Sequence, residues 1–174
     1  GRAPGALLQA SIRCVDSGAV VDRGYVFEPQ SLSFRPVHAG EAPNCLTTNG
    51  LFARFGDLTR IGGFHSRLLP HYLSDYEYTL RAGRRGFVLR VDPDLELTWQ
   101  TKSTGYRSIE ARSVSEFLGK LFSPRYPSNP LHTTAFAFLA CPLPLALIHT
   151  LRIWRAAADT WMVWLRERRK SRSD

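Results

Sequence analysis

An α/β fold followed by an all-helical C-terminal third is what the order of residue patterns predicts. In residues 1–105, strand-like runs such as "ALLQASIRCVD" (6–16) and "FVLRV" (87–91) alternate with helix-like runs, the pattern of a mixed sheet with flanking helices. From 106 onward apolar residues recur at helical spacing and no strand pattern returns. The composition, 44% hydrophobic and 22% charged, is that of a chain that buries a core, and 174 residues suffice for one. Two regions are expected: 1–105, carrying the sheet, and 106–174, a helical, partly hydrophobic and basic extension.

Each element has its own warrant. Residues 6–16 read as a strand with a partly apolar face, and "SGAVVDRG" as a turn and a second short strand. Residues 28–44 are rich in Pro, Gly and polar side chains and read as a loop with little regular structure beyond "LSF". "GLFARFGDLTRIGG" (50–63) has Leu51, Phe55, Leu58 and Ile61 on one side of a helix that Gly62 and Gly63 end. A second helix is expected from about Ser74 to Arg85, stopping at Gly86. "FVLRV" and "LELTW" (95–99) read as two strands broken by "DPD", and a helix is expected from Ser108.

The segment "LHTTAFAFLACPLPLALIHTL" (131–151) has the length of a membrane span, but Pro142 and Pro144 split it and His132 and His149 interrupt it. Two short helices in a V are expected, buried or lying at a membrane surface. The closing helix sets Trp154, Trp161 and Trp164 among arginines, which suits either a membrane interface or a Trp face packed on the protein.

Net charge is +8, and the excess is concentrated: residues 166–174 carry five basic side chains against two acidic. A basic tail is either solvated or drawn to an anionic surface. Cys14, Cys45 and Cys141 are odd in number and far apart, so neither a disulfide framework nor a zinc site is indicated, and a reducing compartment fits. The chain opens at Gly1 with no signal-peptide pattern, and its one methionine is Met162, from which a longer protein is expected.

The candidate chemistry lies at "LLPHYLSDYEYTLRAGRRGF" (68–87), where a basic chain sets Asp75 and Glu77 two residues apart at a helix start. One reading is structural: Ser74-Asp75-Tyr76-Glu77 forms a capping box, with the Ser74 hydroxyl accepting the Glu77 amide proton and Glu77 reaching back. The other is catalytic: a carboxylate at a helix N-terminus, poised to take a proton.

The run 44–100 contains "RIGGFHSRL", "PHYLSDYEYTLRAGRRGF" and "VDPDLELTW" in order. In this it resembles the acceptor-side half of a family-2 glycosyltransferase of the GT-A type. The resemblance implies a partial GT-A-like mixed sheet. It also implies inverting transfer from a nucleotide-sugar to a glycan or lipid-linked acceptor, in cell-envelope polysaccharide biosynthesis. Asp75 matches the family's general base. Glu77 matches the next acidic position, which supports the helix start or contacts the acceptor, and Arg81, one turn on, is placed to pair with it. Asn49, in the N-G-x-x-x-R run that resembles the family's preceding helix, and His71, in the loop just before Asp75, are expected with Glu77 and Arg81 to bind the acceptor or support the site.

The family's first half, whose D-x-D holds Mg²⁺ or Mn²⁺ on the donor diphosphate, has no counterpart here. Asp16 with Asp22, and Asp92 with Asp94, stand after or outside the matching place. A metal is therefore expected for a full-length enzyme and not for this chain, and the isolated chain is not expected to transfer sugar. The implied setting is cytoplasmic, peripheral at the inner face of the plasma membrane. The competing class is a non-enzymatic basic domain that binds nucleic acid or a membrane. No helix-turn-helix, zinc-finger or aromatic-sheet signature supports a nucleic-acid partner, and none is expected.

Overall fold

The computed structural model describes residues 5–38, 40–100 and 109–170, and the chain divides into two compact units, Gly1–Thr104 and Gly105–Asp174. The class is mixed α/β, with helices alone among the described elements of the second unit.

The four-stranded sheet of the first unit is built on β1 (Ala6–Cys14), six of whose nine residues are buried. Along one edge runs β6 (Val88–Trp99), parallel to it. The other edge is shared by β5 (Leu51–Ala53), opposite Leu7 to Gln9, and β2 (Val20–Asp22), opposite Ile12 and Arg13, both antiparallel. "FVLRV" and "LELTW" are thus one strand rather than two. Pairing runs from Ala6–Val88 to Ala10–Asp92 and resumes at Ser11–Glu96, with Pro93, Asp94 and Leu95 bulged out between. Pro93 has no N–H for the ladder, and the Asp92 carboxylate accepts the Asp94 N–H at 2.9 Å, so the DPD break is local and the strand survives it.

Two further expectations are corrected. Residues 28–44 are not simply a loop: β3 (Tyr25–Glu28) and β4 (Ser33–Pro36) form an antiparallel hairpin. Its turn places Leu32 at φ 53°, a left-handed conformation that an apolar side chain does not advertise. The helix expected from residue 50 begins only at Phe55: Leu51 is drawn into β5 against β1, and α1 (Phe55–Ile61) leaves Phe55 81% exposed. Ile61 alone of that apolar set is fully buried. Helix α1 does end at Gly62, in the left-handed region with its N–H on the Leu58 carbonyl. Helix α2 (Ser74–Arg84) follows and packs Tyr78 and Ala82 against Leu7, Leu46, Ile61, Phe87 and Leu89.

In the second unit α3 (Val114–Leu121) begins later than expected, and Ser108 lies outside the described residues. The V of two short helices is also corrected. Helix α4 (Pro130–Ala140) ends at Cys141, but α5 (Leu143–Lys170) then runs unbroken for 28 residues through the Trp- and Arg-rich segment. Pro144 sits in its first turn, where the missing N–H costs nothing. Of the three tryptophans, Trp161 and Trp164 pack on Phe117 of α3, and the Trp164 indole donates to the Ala111 carbonyl at 2.9 Å. Among the described residues no helix is long and apolar enough to cross a membrane.

Candidate functional site

An α-helix turns about 100° per residue, so side chains two apart point to nearly opposite sides. Asp75 and Glu77 accordingly serve different surroundings.

Glu77 is buried and faces the end of α1. It takes the Arg81 guanidinium at 2.8 and 3.2 Å, the expected one-turn pairing, and the His65 imidazole lies 3.7 Å away. The same guanidinium donates to the Ile61 carbonyl and, at 2.8 Å, to that of Gly63. Arg85 adds bonds to the Arg60 and Ile61 carbonyls at 2.9 and 2.6 Å. Carbonyls at the C-terminal end of α1 are thereby filled by Arg81 of α2 and by Arg85 just past its end. Glu77 and Arg81 form a clamp between helices.

The capping box at 74–77 does not form. The chain enters α2 through Leu73 in the left-handed conformation, φ 68°, with no side-chain cap. The Ser74 hydroxyl donates back to the His71 carbonyl at 3.1 Å, while the Glu77 N–H goes to the Leu73 carbonyl. Glu77 cannot reach back because Arg81 holds it. The same S-x-x-E spelling at Ser113 to Glu116 does cap α3: the Ser113 hydroxyl accepts the Glu116 N–H at 3.1 Å, and the Glu116 carboxylate accepts the Arg112 N–H at 2.8 Å.

Asp75 faces the other way, toward the loop that precedes β5. Its carboxylate accepts the Tyr76 N–H at 2.9 Å, and its own N–H and that of Thr48 also point to it. Burial raises its pKa above the ordinary carboxylate value; those N–H groups oppose the rise and the nearby Asp22 adds to it. The loop is pinned in place by α2 itself: the Thr79 hydroxyl accepts the Leu46 N–H at 3.0 Å and lies 3.1 Å from the Leu46 carbonyl.

Asp22, at the end of β2, is buried and accepts the Gly24 N–H at 2.9 Å and the Thr47 hydroxyl at 2.7 Å. Gln9 of β1 holds the Thr47 N–H at 3.0 Å, and its own amide nitrogen is buried without a partner among the described residues. Tyr25 meets Tyr76 edge-on at 5.6 Å, and Phe34 stacks on Tyr76 at 4.2 Å. Burial raises the Tyr25 pKa, with Asp22 and Asp75 adding to it. Two carboxylates, the 47–49 loop and an aromatic wall therefore meet at the start of α2.

Of the other sequence candidates, Asn49 is exposed in this same loop, next to Thr48. His71 is exposed with its ring on Tyr72 at 4.5 Å, and among the described residues no hydrogen bond joins it to Asp75. Two clefts of this unit, about 400 Å³ along Asn44, Leu80 and Phe87 and about 310 Å³ along Arg23, His38 and Pro93, do not include Asp75. Nor do the residues fit Mg²⁺ or Mn²⁺. Among those described, no three His, Cys, Asp or Glu side chains come together, and Asp22 is already engaged by Gly24 and Thr47. That ion, which on a donor diphosphate neutralises the leaving group, is not assigned to this chain.

Sequence reasoning weighed Asp22 only as a misplaced metal ligand and passed over Gln9, Thr47 and Thr48. Their signal is long-range, since each meets a partner 25 or more residues away in sequence. No family model, curated protein or solved structure matches the chain.

Proposed function

We propose that this chain is the acceptor-side half of an inverting, nucleotide-sugar-dependent glycosyltransferase of the GT-A type, with Asp75 as general base. The observation that carries the reading is the setting of Asp75. It is a carboxylate of raised proton affinity in the first turn of a helix, oriented by three backbone N–H groups beside a second carboxylate. A base works best when its pKa approaches the working pH, and burial with a like charge nearby moves a carboxylate that way. The position is also the one at which the sequence resemblance puts the base.

In the reaction Asp75 takes the proton of an acceptor hydroxyl as that oxygen bonds to the anomeric carbon of the donor. The bond from that carbon to the diphosphate breaks, the nucleoside diphosphate leaves, and the configuration inverts. Asp22 and Thr47 position the base, and Asn49 and His71 stand at the rim where an acceptor arrives. Glu77 and Arg81 hold the scaffold. Donor binding belongs, on this reading, to a first half that these residues do not contain. The acceptor is a cell-envelope or lipid-linked glycan, and no nucleic-acid partner is proposed.

Donor binding tests the division of labour. Titrated by calorimetry with Mn²⁺ and a panel of UDP- and GDP-sugars, this chain is expected to show no micromolar site, while a longer protein that includes the first half shows one. A micromolar donor site on the chain alone contradicts the division. Failure of every donor on the longer protein sinks the transferase reading.

A further inference from the structure

We infer that α5 is a membrane-surface helix that lays an apolar stripe on an anionic lipid bilayer without crossing it. Leu143, Leu147, Leu151, Trp154 and Met162 are separated by four, four, three and eight residues, steps that return to one side of an α-helix. All five are exposed, Leu151 at 74%. Its continuous part, from Leu143 to Trp154, extends about 17 Å at 1.5 Å per residue. Ala146, His149 and Trp164 are the fully buried positions of α5. Toward its C-terminal end the stripe's side also carries Trp161 and Leu165, which pack with Phe117, and the Trp154 ring lies 6.4 Å from that of Phe122, so the open part of the stripe is its N-terminal part, Leu143 to Leu151.

Charge decides the occupant. Arg152, Arg155 and Arg166 lie on the side adjoining the stripe, and the helix carries six basic residues against Asp159 and Glu167. An apolar stripe edged by arginines, with one tryptophan on the exposed face, matches the boundary between acyl chains and anionic headgroups. The same helix is long enough to span but too polar along its length to do so. Two exposed large apolar residues of α4, Leu131 and Phe138, add apolar surface to this unit. The inference does not rest on the transferase reading, and no activity is needed to test it.

The test is flotation of the chain with vesicles of phosphatidylcholine alone or with phosphatidylglycerol added, at low and high salt. Binding is expected to the anionic vesicles, to weaken severalfold between 0.1 and 0.5 M salt as the arginines are screened, and to be removed by carbonate. Leu147→Ser/Leu151→Ser, with circular dichroism unchanged because both sites are exposed, is expected to weaken it by at least about tenfold. Arg152→Ser/Arg155→Ser is expected to abolish the preference for anionic lipid. Equal binding to neutral vesicles, carbonate-resistant binding, or binding unmoved by the leucine variant overturns the inference. So does failure to float with a concentration-dependent dimer that Leu151→Ser dissolves, which assigns the stripe to a second copy of the chain.

Discussion

Asp75→Asn in the longer enzyme is expected to lower turnover by about 10²–10⁴-fold, the usual contribution of a positioned base. Asparagine keeps the size and an oxygen for the Tyr76 and Thr48 N–H groups but cannot take a proton. Stability should not fall with it. The Asp75 pKa is raised in the fold, first by burial and then by Asp22. Its stabilising contribution is therefore fully present below the unfolded pKa and is lost as pH rises through the folded one. At neutral pH the ionised carboxylate weighs against the fold, so the variant's Tm should hold or rise. Glu77→Gln should show the reverse pattern, losing stability through the clamp with a smaller loss of rate. Near-full turnover in Asp75→Asn removes the base from this position.

Arg81→Ala carries the largest expected cost in stability, measurable in the chain as it stands. Its guanidinium neutralises a carboxylate whose side chain is only 4% exposed and at the same time fills the Ile61 and Gly63 carbonyls. Removing one partner of a buried pair leaves the other charged and unpaired, at about 3–5 kcal/mol. Urea unfolding should register a loss of that size, with a fall in Tm on the order of 10 °C. Arg81→Met together with Glu77→Gln should recover part of it, since no buried charge then stands alone. A loss below about 1 kcal/mol in Arg81→Ala shows that the pair is a solvated surface contact instead.

What the sequence made legible follows from how local each cause is. The alternating apolar pattern of residues 6–14 announced β1, and Gly62 and Gly86 announced the ends of α1 and α2, because those signals act within a few residues. Periodicity misled at 50–61, where Leu51 satisfies a helical stripe and a strand equally and β1 decided for the strand. The S-x-x-E spelling occurs at 74–77 and at 113–116, and only the second caps a helix. The difference lies in Arg81 and the left-handed Leu73, which the four-letter pattern does not contain. At the site, Asp75 was legible from a helix start with a carboxylate. Asp22 and Gln9 were not, because nothing near them in sequence shows that both reach Thr47. Three tryptophans among arginines suggested one surface, but packing on Phe117 took two of them inward and left Trp154 exposed.

The central claim is that Asp75, raised in proton affinity by burial and by its neighbour Asp22, takes the acceptor's proton. The pH profile of kcat/KM in the longer enzyme, compared between the parent and Asp22→Asn, tests it most directly. Asparagine still offers an oxygen to the Gly24 N–H, so the loop is expected to hold. The parent's rate should fall on the acid side with a midpoint raised above the ordinary carboxylate value, chiefly by burial, and Asp22→Asn should move that midpoint down by the smaller part that the Asp22 charge supplies. An acid limb that stays in place in Asp22→Asn, and persists unchanged in Asp75→Asn, contradicts the account.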